Sequence, residues 1–123
     1  MLLHKAVSTM LLLSCAVMTH AAEQWQRLAA SPESPAILQI DLGSVTLNGF
    51  GNRVTTVRSL TSGFRMDILT EYDCSNRRSR ALSSALTDKD GRLVAANGPQ
   101  QTWFDERKSL GLPQVCTAAL QGK

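Results

Sequence analysis

The run Phe64-Arg-Met-Asp-Ile-Leu-Thr-Glu-Tyr-Asp-Cys74 alternates apolar and charged residues at the period of a β-strand and ends on a cysteine. Phe64, Met66, Ile68, Tyr72 and Cys74 fall on one face, and Arg65, Asp67, Glu71 and Asp73 on the other. Only Leu69 and Thr70 break the alternation. A strand of this kind is half buried, and its last inward residue is placed to bridge to Cys116, the one later cysteine.

The chain has 123 residues, room for one domain. Residues 1–21 read as an export signal. Lys5 supplies the positive start, Ala6 to Met18 is apolar or small, and small residues at Ala21 and Ala22 suit a signal peptidase, with the cut after one or the other. The apolar run is too short to span a bilayer as a helix. A second processing route stays open: Leu12-Leu13-Ser14-Cys15 resembles a lipobox, in which Cys15 is lipidated and becomes the first residue. On either route Cys74 and Cys116 survive as a pair. Loss of Lys5 lowers the formal charge from +3 to about +2, too weak and scattered for a nucleic-acid surface.

Along the remaining domain, 22–123, Glu23 to Leu28 begins strand-like, and Ser31-Pro-Glu-Ser-Pro35 is a loop. Ala36 to Leu42 reads as a strand, Gly43 to Leu47 continues extended, and Asn48-Gly-Phe-Gly-Asn52 reverses the chain into the Val- and Thr-rich strand Arg53 to Leu60. Thr61-Ser-Gly63 turns into the strand that ends at Cys74. Arg77 to Leu86 is a further strand whose inward parity is ambiguous, and Thr87 to Gly91 is a hairpin loop leading to a strand at Arg92 to Ala96. From Ser109 to Leu120 the residues Leu112, Val115, Cys116 and Ala119 stand at helical spacing. A Cys74–Cys116 disulfide would then fasten a terminal helix to a sheet. Closing a loop of about 43 residues stabilises by roughly 4 kcal/mol in the chain-entropy treatment.

The order Trp25-x-x-Leu28, Ile40-Asp41-Leu42 with Ser44-Val45, Glu71-x-Asp73-Cys74, Arg77-Arg78-x-Arg80, Asp90-Gly91, Trp103 and Val115-Cys116 resembles the surface-adhesin protein E family of secreted Gram-negative bacterial proteins. The resemblance implies an α+β domain: an antiparallel sheet of about five to six strands with a C-terminal helix held by a disulfide at Cys74 and Cys116. It also implies a non-enzymatic binding role in the periplasm or at the cell surface, with a protein partner or a host matrix component. It assigns no ligand-binding residue to this chain. A different reading of the same exported domain is a periplasmic structural or envelope-maintenance protein that self-associates through sheet edges, as a homodimer for instance.

Both histidines, His4 and His20, fall in the export signal. Without them the domain lacks the Ser-His and Cys-His nucleophile systems and imidazole metal ligation, so no enzyme, metal or cofactor is expected. Asp88 and Asp90 before Gly91 have the start of a calcium loop but none of the later ligands, so a solvated turn is the plainer reading. Glu71 and Asp73 share a strand face, expected to look onto solvent with Arg77, Arg78 and Arg80 as charge partners. Those three arginines are the candidate contact surface, because guanidinium groups bind carboxylate and sulfate bidentately. Trp25 and Trp103 are expected in the core, since so small a domain has few aromatics to fill it. The expected partners exclude nucleic acid, and a membrane enters only through lipidation of Cys15.

Overall fold

The computed structural model describes residues 23–28 and 35–121. The expected export signal, Cys15 and most of the Ser31–Pro35 loop lie outside the described residues. Among the described residues eight antiparallel strands form one sheet: β1 Trp25–Arg27, β2 Ile37–Asp41, β3 Thr46–Leu47, β4 Arg53–Thr61, β5 Phe64–Asp73, β6 Arg78–Asp88, β7 Leu93–Asn97 and β8 Phe104–Asp105. The spatial order is β1-β2-β4-β5-β6-β7, with β3 pairing with β4 and β8 with β6. The expected count of five to six strands is therefore too low. The continuous order holds six, and the two-residue strands β3 and β8 are too short to leave a periodic signal.

The long hairpin of β4 and β5 is the centre of the sheet, with Val57 opposite Ile68 and Thr55 opposite Thr70. Residues directly opposed across strands share a face. Ile40, Val57 and Tyr72 therefore define an inner face, and they bury together with Leu28, Val45, Leu112 and Val115 as the core. Thr70 follows the parity of Ile68 and Tyr72 and is buried, while Leu69 faces out. The pairing of β5 with β6 shifts between Leu69 and Thr70: Leu69 opposes Ser83 and Thr70 opposes Ala81, leaving Leu82 unmatched. This bulge explains the ambiguous parity of β6. Ser79 and Ala81 face inward before it, and Ser84 and Leu86 after it.

The terminal helix α1 runs only Leu112–Thr117, half the span expected from the apolar spacing. Its start is fixed by Gly111 at φ 78°, a left-handed residue that cannot continue a helix backwards, followed by Pro113 in the first turn. Its end is set by Ala118, which is extended. Leu112 and Val115 face the core, whereas Ala119, expected on the same stripe, is exposed. Cys74 and Cys116 are bonded, with Cα atoms 5.8 Å apart. The guanidinium of Arg53 donates to the carbonyls of Val115 at 3.0 Å and Ala118 at 2.6 Å, a cation placed on the orphan acceptors of the helix C-terminus. Disulfide and arginine hold α1 over the Ile40–Val57–Tyr72 end of the inner face.

Candidate functional site

The outer face of the sheet is where the charged alternation of β5 lands. Glu71 opposes Arg80 and Asp73 opposes Arg78 across the β5–β6 pair, and Arg58 opposes Asp67 across β4–β5. Each opposed pair closes an ion pair, at 2.8 Å for Arg80–Glu71, 3.0 Å for Arg78–Asp73 and 2.8 Å for Arg58–Asp67. Strand register alone thus converts sequence alternation into a ladder of matched charges.

Glu71 and Asp73 do not look onto open solvent, as the sequence suggested. Glu71 is 1% exposed and Asp73 7%. The side chains of Asn48 and Asn52 both donate to Oε2 of Glu71, at 2.5 Å and 3.0 Å, while Arg80 donates to Oε1. Burial by itself would raise the pKa of Glu71. The hydrogen bonds from Asn52, Arg80 and Asn48, together with the Arg80 charge, outweigh it and hold the carboxyl below its usual value. Asp73 is also held low, first by the side-chain hydrogen bond from Asn76 and further by Arg78 and the Asn76 backbone, against the opposing effect of burial.

The two tryptophans are partly exposed rather than sunk in the core. The Arg58 guanidinium carbon lies 4.0 Å from the centroid of Trp25, and those of Arg78 and Arg80 lie 4.2 Å and 4.5 Å from that of Trp103. Each indole is covered by a guanidinium that is itself neutralised by a carboxylate, so the stacking keeps its geometry without leaving a loose charge. Asp67 raises the pKa of Arg58 through the hydrogen bond and charge they share, against the opposing effect of burial.

The turn between β3 and β4 is tied into this surface. Asn48 Oδ1 accepts from the backbone N–H groups of Phe50 and Asn52, and the Asn48 N–H donates to the Asn52 carbonyl. The same two asparagines grip Glu71. At the tip of this braced turn Phe50 is 85% exposed, the most open of the large apolar side chains described. An unbroken line of contacts therefore leads from the Phe50 turn through Glu71 and Arg80 to Trp103.

Of the three arginines singled out from the sequence, Arg78 and Arg80 share the outer face and the Trp103 ring. Arg77 stands apart in the Cys74–Arg78 turn at φ 52°, a left-handed conformation uncommon for a residue with a side chain. Its side chain is 72% exposed and 3.6 Å from Glu106. The predicted hairpin turn at Asp88 is present, with Asp88 Oδ1 accepting from the N–H groups of Asp90 and Arg92. Among the described residues no group of three His, Cys, Asp or Glu side chains could hold a metal ion, and no helix is long and apolar enough to cross a membrane.

Phe50 and the Asn48–Asn52 brace escaped the sequence reading. The signal available was the phenylalanine between two glycines and two asparagines, read there only as turn chemistry. Comparison with protein-family models, curated proteins and solved structures finds no match to this chain.

Proposed function

We propose that this protein is a non-enzymatic exported binding module, similar in kind to a bacterial surface adhesin, acting in the periplasm or at the surface of a Gram-negative cell. The observation that carries the reading is Phe50, 85% exposed on a turn that buried Glu71 locks to the sheet. An exposed aromatic on a preorganised turn loses little entropy on binding, which is the economy expected of an interface anchor. The brace of its turn leads through Glu71 to Arg80 and Trp103, which Arg78 also covers. Arg77 lies in the β5–β6 turn, and arginine and tryptophan are the other residue types that dominate interface energetics. The Cys74–Cys116 bond supports an oxidising compartment. The partner is a protein or a host matrix component. The test has two arms: protease treatment of intact cells, and solid-phase binding to purified matrix glycoproteins and sulfated glycans. Cell-surface accessibility together with binding that Phe50→Ala or Arg77→Ala weakens at least fivefold supports the proposal, and full protection on intact cells contradicts an adhesive role.

One observation favours a structural envelope role instead. Strand β7 forms an edge of the sheet, and all five of its residues, Leu93–Asn97, are exposed and uncharged. Such an edge is a template for strand addition. A stable oligomer broken by Val94→Lys, with no loss of matrix binding from Phe50→Ala, favours this second reading.

A further inference from the structure

On the inner face, beyond the cover of α1, the sheet and the 104–110 segment enclose a half-open hollow of about 120 Å³. Its walls are largely apolar: Val57 and Ile68 from the central hairpin, Ala81 from β6, and Phe104 and Leu110 from the segment that crosses back over the sheet. Buried and part-buried hydrogen bonds fix the crossing segment. Ser79 Oγ donates to Ser109 Oγ at 2.8 Å, Ser109 Oγ donates to the Phe104 carbonyl at 2.8 Å, and the Tyr72 hydroxyl donates to the Leu110 carbonyl at 2.6 Å. Burial raises the Tyr72 pKa, so this donor keeps its proton across the physiological range. The hollow is therefore preformed rather than opened by a ligand.

Charge sets what it takes. Lys108 completes the wall and is exposed. Arg80, which also lines the hollow, is matched by Glu71 at 2.8 Å, and the neighbouring charges are matched elsewhere, Arg107 with Asp105 at 3.9 Å and Arg77 with Glu106 at 3.6 Å. Lys108 has no ion pair within 4.0 Å among the described residues, so the wall carries one uncompensated positive charge next to apolar surface. A cavity of about 150 Å³ accepts a benzene ring, and a half-open hollow of slightly smaller volume suits a group of that size.

We infer that this hollow binds a small amphipathic carboxylate, a single ring or short branched chain carrying one negative charge that meets Lys108. The hollow shares Arg80 with the Glu71–Trp103 surface, and the test below leaves that residue unaltered, so its outcome is read separately from the proposed contact function. The test follows backbone and methyl NMR shifts of the purified, oxidised protein during titration with 3-phenylpropionate, its uncharged amide and 2-phenylethylamine. The expected result is shifts centred on Ile68, Ala81 and Leu110, with the carboxylate bound about two- to fivefold more tightly than the amide, the range of one exposed ion pair. Lys108→Gln removes that preference and leaves amide binding unchanged. Equal binding of acid and amide, a preference that survives Lys108→Gln, shifts centred elsewhere, or no response at about 10 mM overturns the assignment.

Discussion

Nε of Arg80 lies 2.8 Å from Oε1 of Glu71, a residue only 1% exposed, and the same guanidinium lies 4.5 Å from the Trp103 centroid. One buried carboxylate thus orients an arginine over an indole while its other oxygen braces the Phe50 turn. The arrangement places the polar face of β5 under structural load. Replacing Glu71 by Gln keeps the shape but removes the charge that Arg80 and the two asparagines converge on. The expected cost is about 1–3 kcal/mol, measured by denaturant unfolding, with loss of the Trp103 environment in near-ultraviolet circular dichroism. Wild-type stability in Glu71→Gln would show that the clamp contributes nothing.

The carboxyls of Glu71 and Asp73 have folded-state pKa values below their ordinary values of 4.5 and 3.8. A depressed pKa means that the unfolded chain binds the proton more tightly. The stabilisation is therefore complete above the unfolded values and is lost as pH falls through the folded ones. Unfolding free energy should drop on acidification below about pH 4.5, and Glu71→Gln should flatten that slope. An equally steep acid limb in the variant would place its origin elsewhere.

Gly111 sits at φ 78°, and a Cβ there would lie 2.6 Å from the Ile40 Cδ1 atom. Gly51 and Gly91 have similar angles with open space around them. Gly111→Ala should then cost about 2–4 kcal/mol, combining left-handed strain with overpacking. At Gly51 and Gly91 alanine should cost only the conformational part, about 1–2 kcal/mol. Thermal unfolding of the three variants reads the difference, and equal losses would remove the packing role of Gly111.

Arg77 holds a left-handed backbone at φ 52° with an exposed side chain. Under the proposed binding role, the strain retained at this exposed cation serves contact rather than folding. Arg77→Gly should leave stability unchanged or raise it by up to about 1 kcal/mol, while binding to the partner falls. Lower stability with full binding would reverse the assignment.

The strand Arg53–Thr61 was legible from its Val and Thr content and Phe64–Asp73 from its alternation, broken only at Leu69 and Thr70. What alternation cannot show is which face is dry. The charged residues of β5 looked like a solvent face, yet Glu71 and Asp73 are buried through partners 19 to 23 positions away in Asn52 and Asn48, and in the nearer Asn76, Arg78 and Arg80. Likewise the tryptophans left the core because Arg58, Arg78 and Arg80 reach over them, a cross-strand relation that depends on register. The bulge at Leu82 reverses the inward parity of β6 midway, so no single alternation fits it. Gly111 and Ala118 shorten the helix by backbone conformation, which the apolar spacing does not encode.

The fold's central claim is that the Cys74–Cys116 bond holds α1 against the sheet. Thermal unfolding of the oxidised protein beside Cys116→Ser, and beside the wild type in reductant, tests it most directly. Loss of about 4 kcal/mol, seen as a midpoint lower by more than about 10 °C with early exposure of Leu112 and Val115 to hydrogen exchange, is the predicted result. An unchanged midpoint in both would contradict the account.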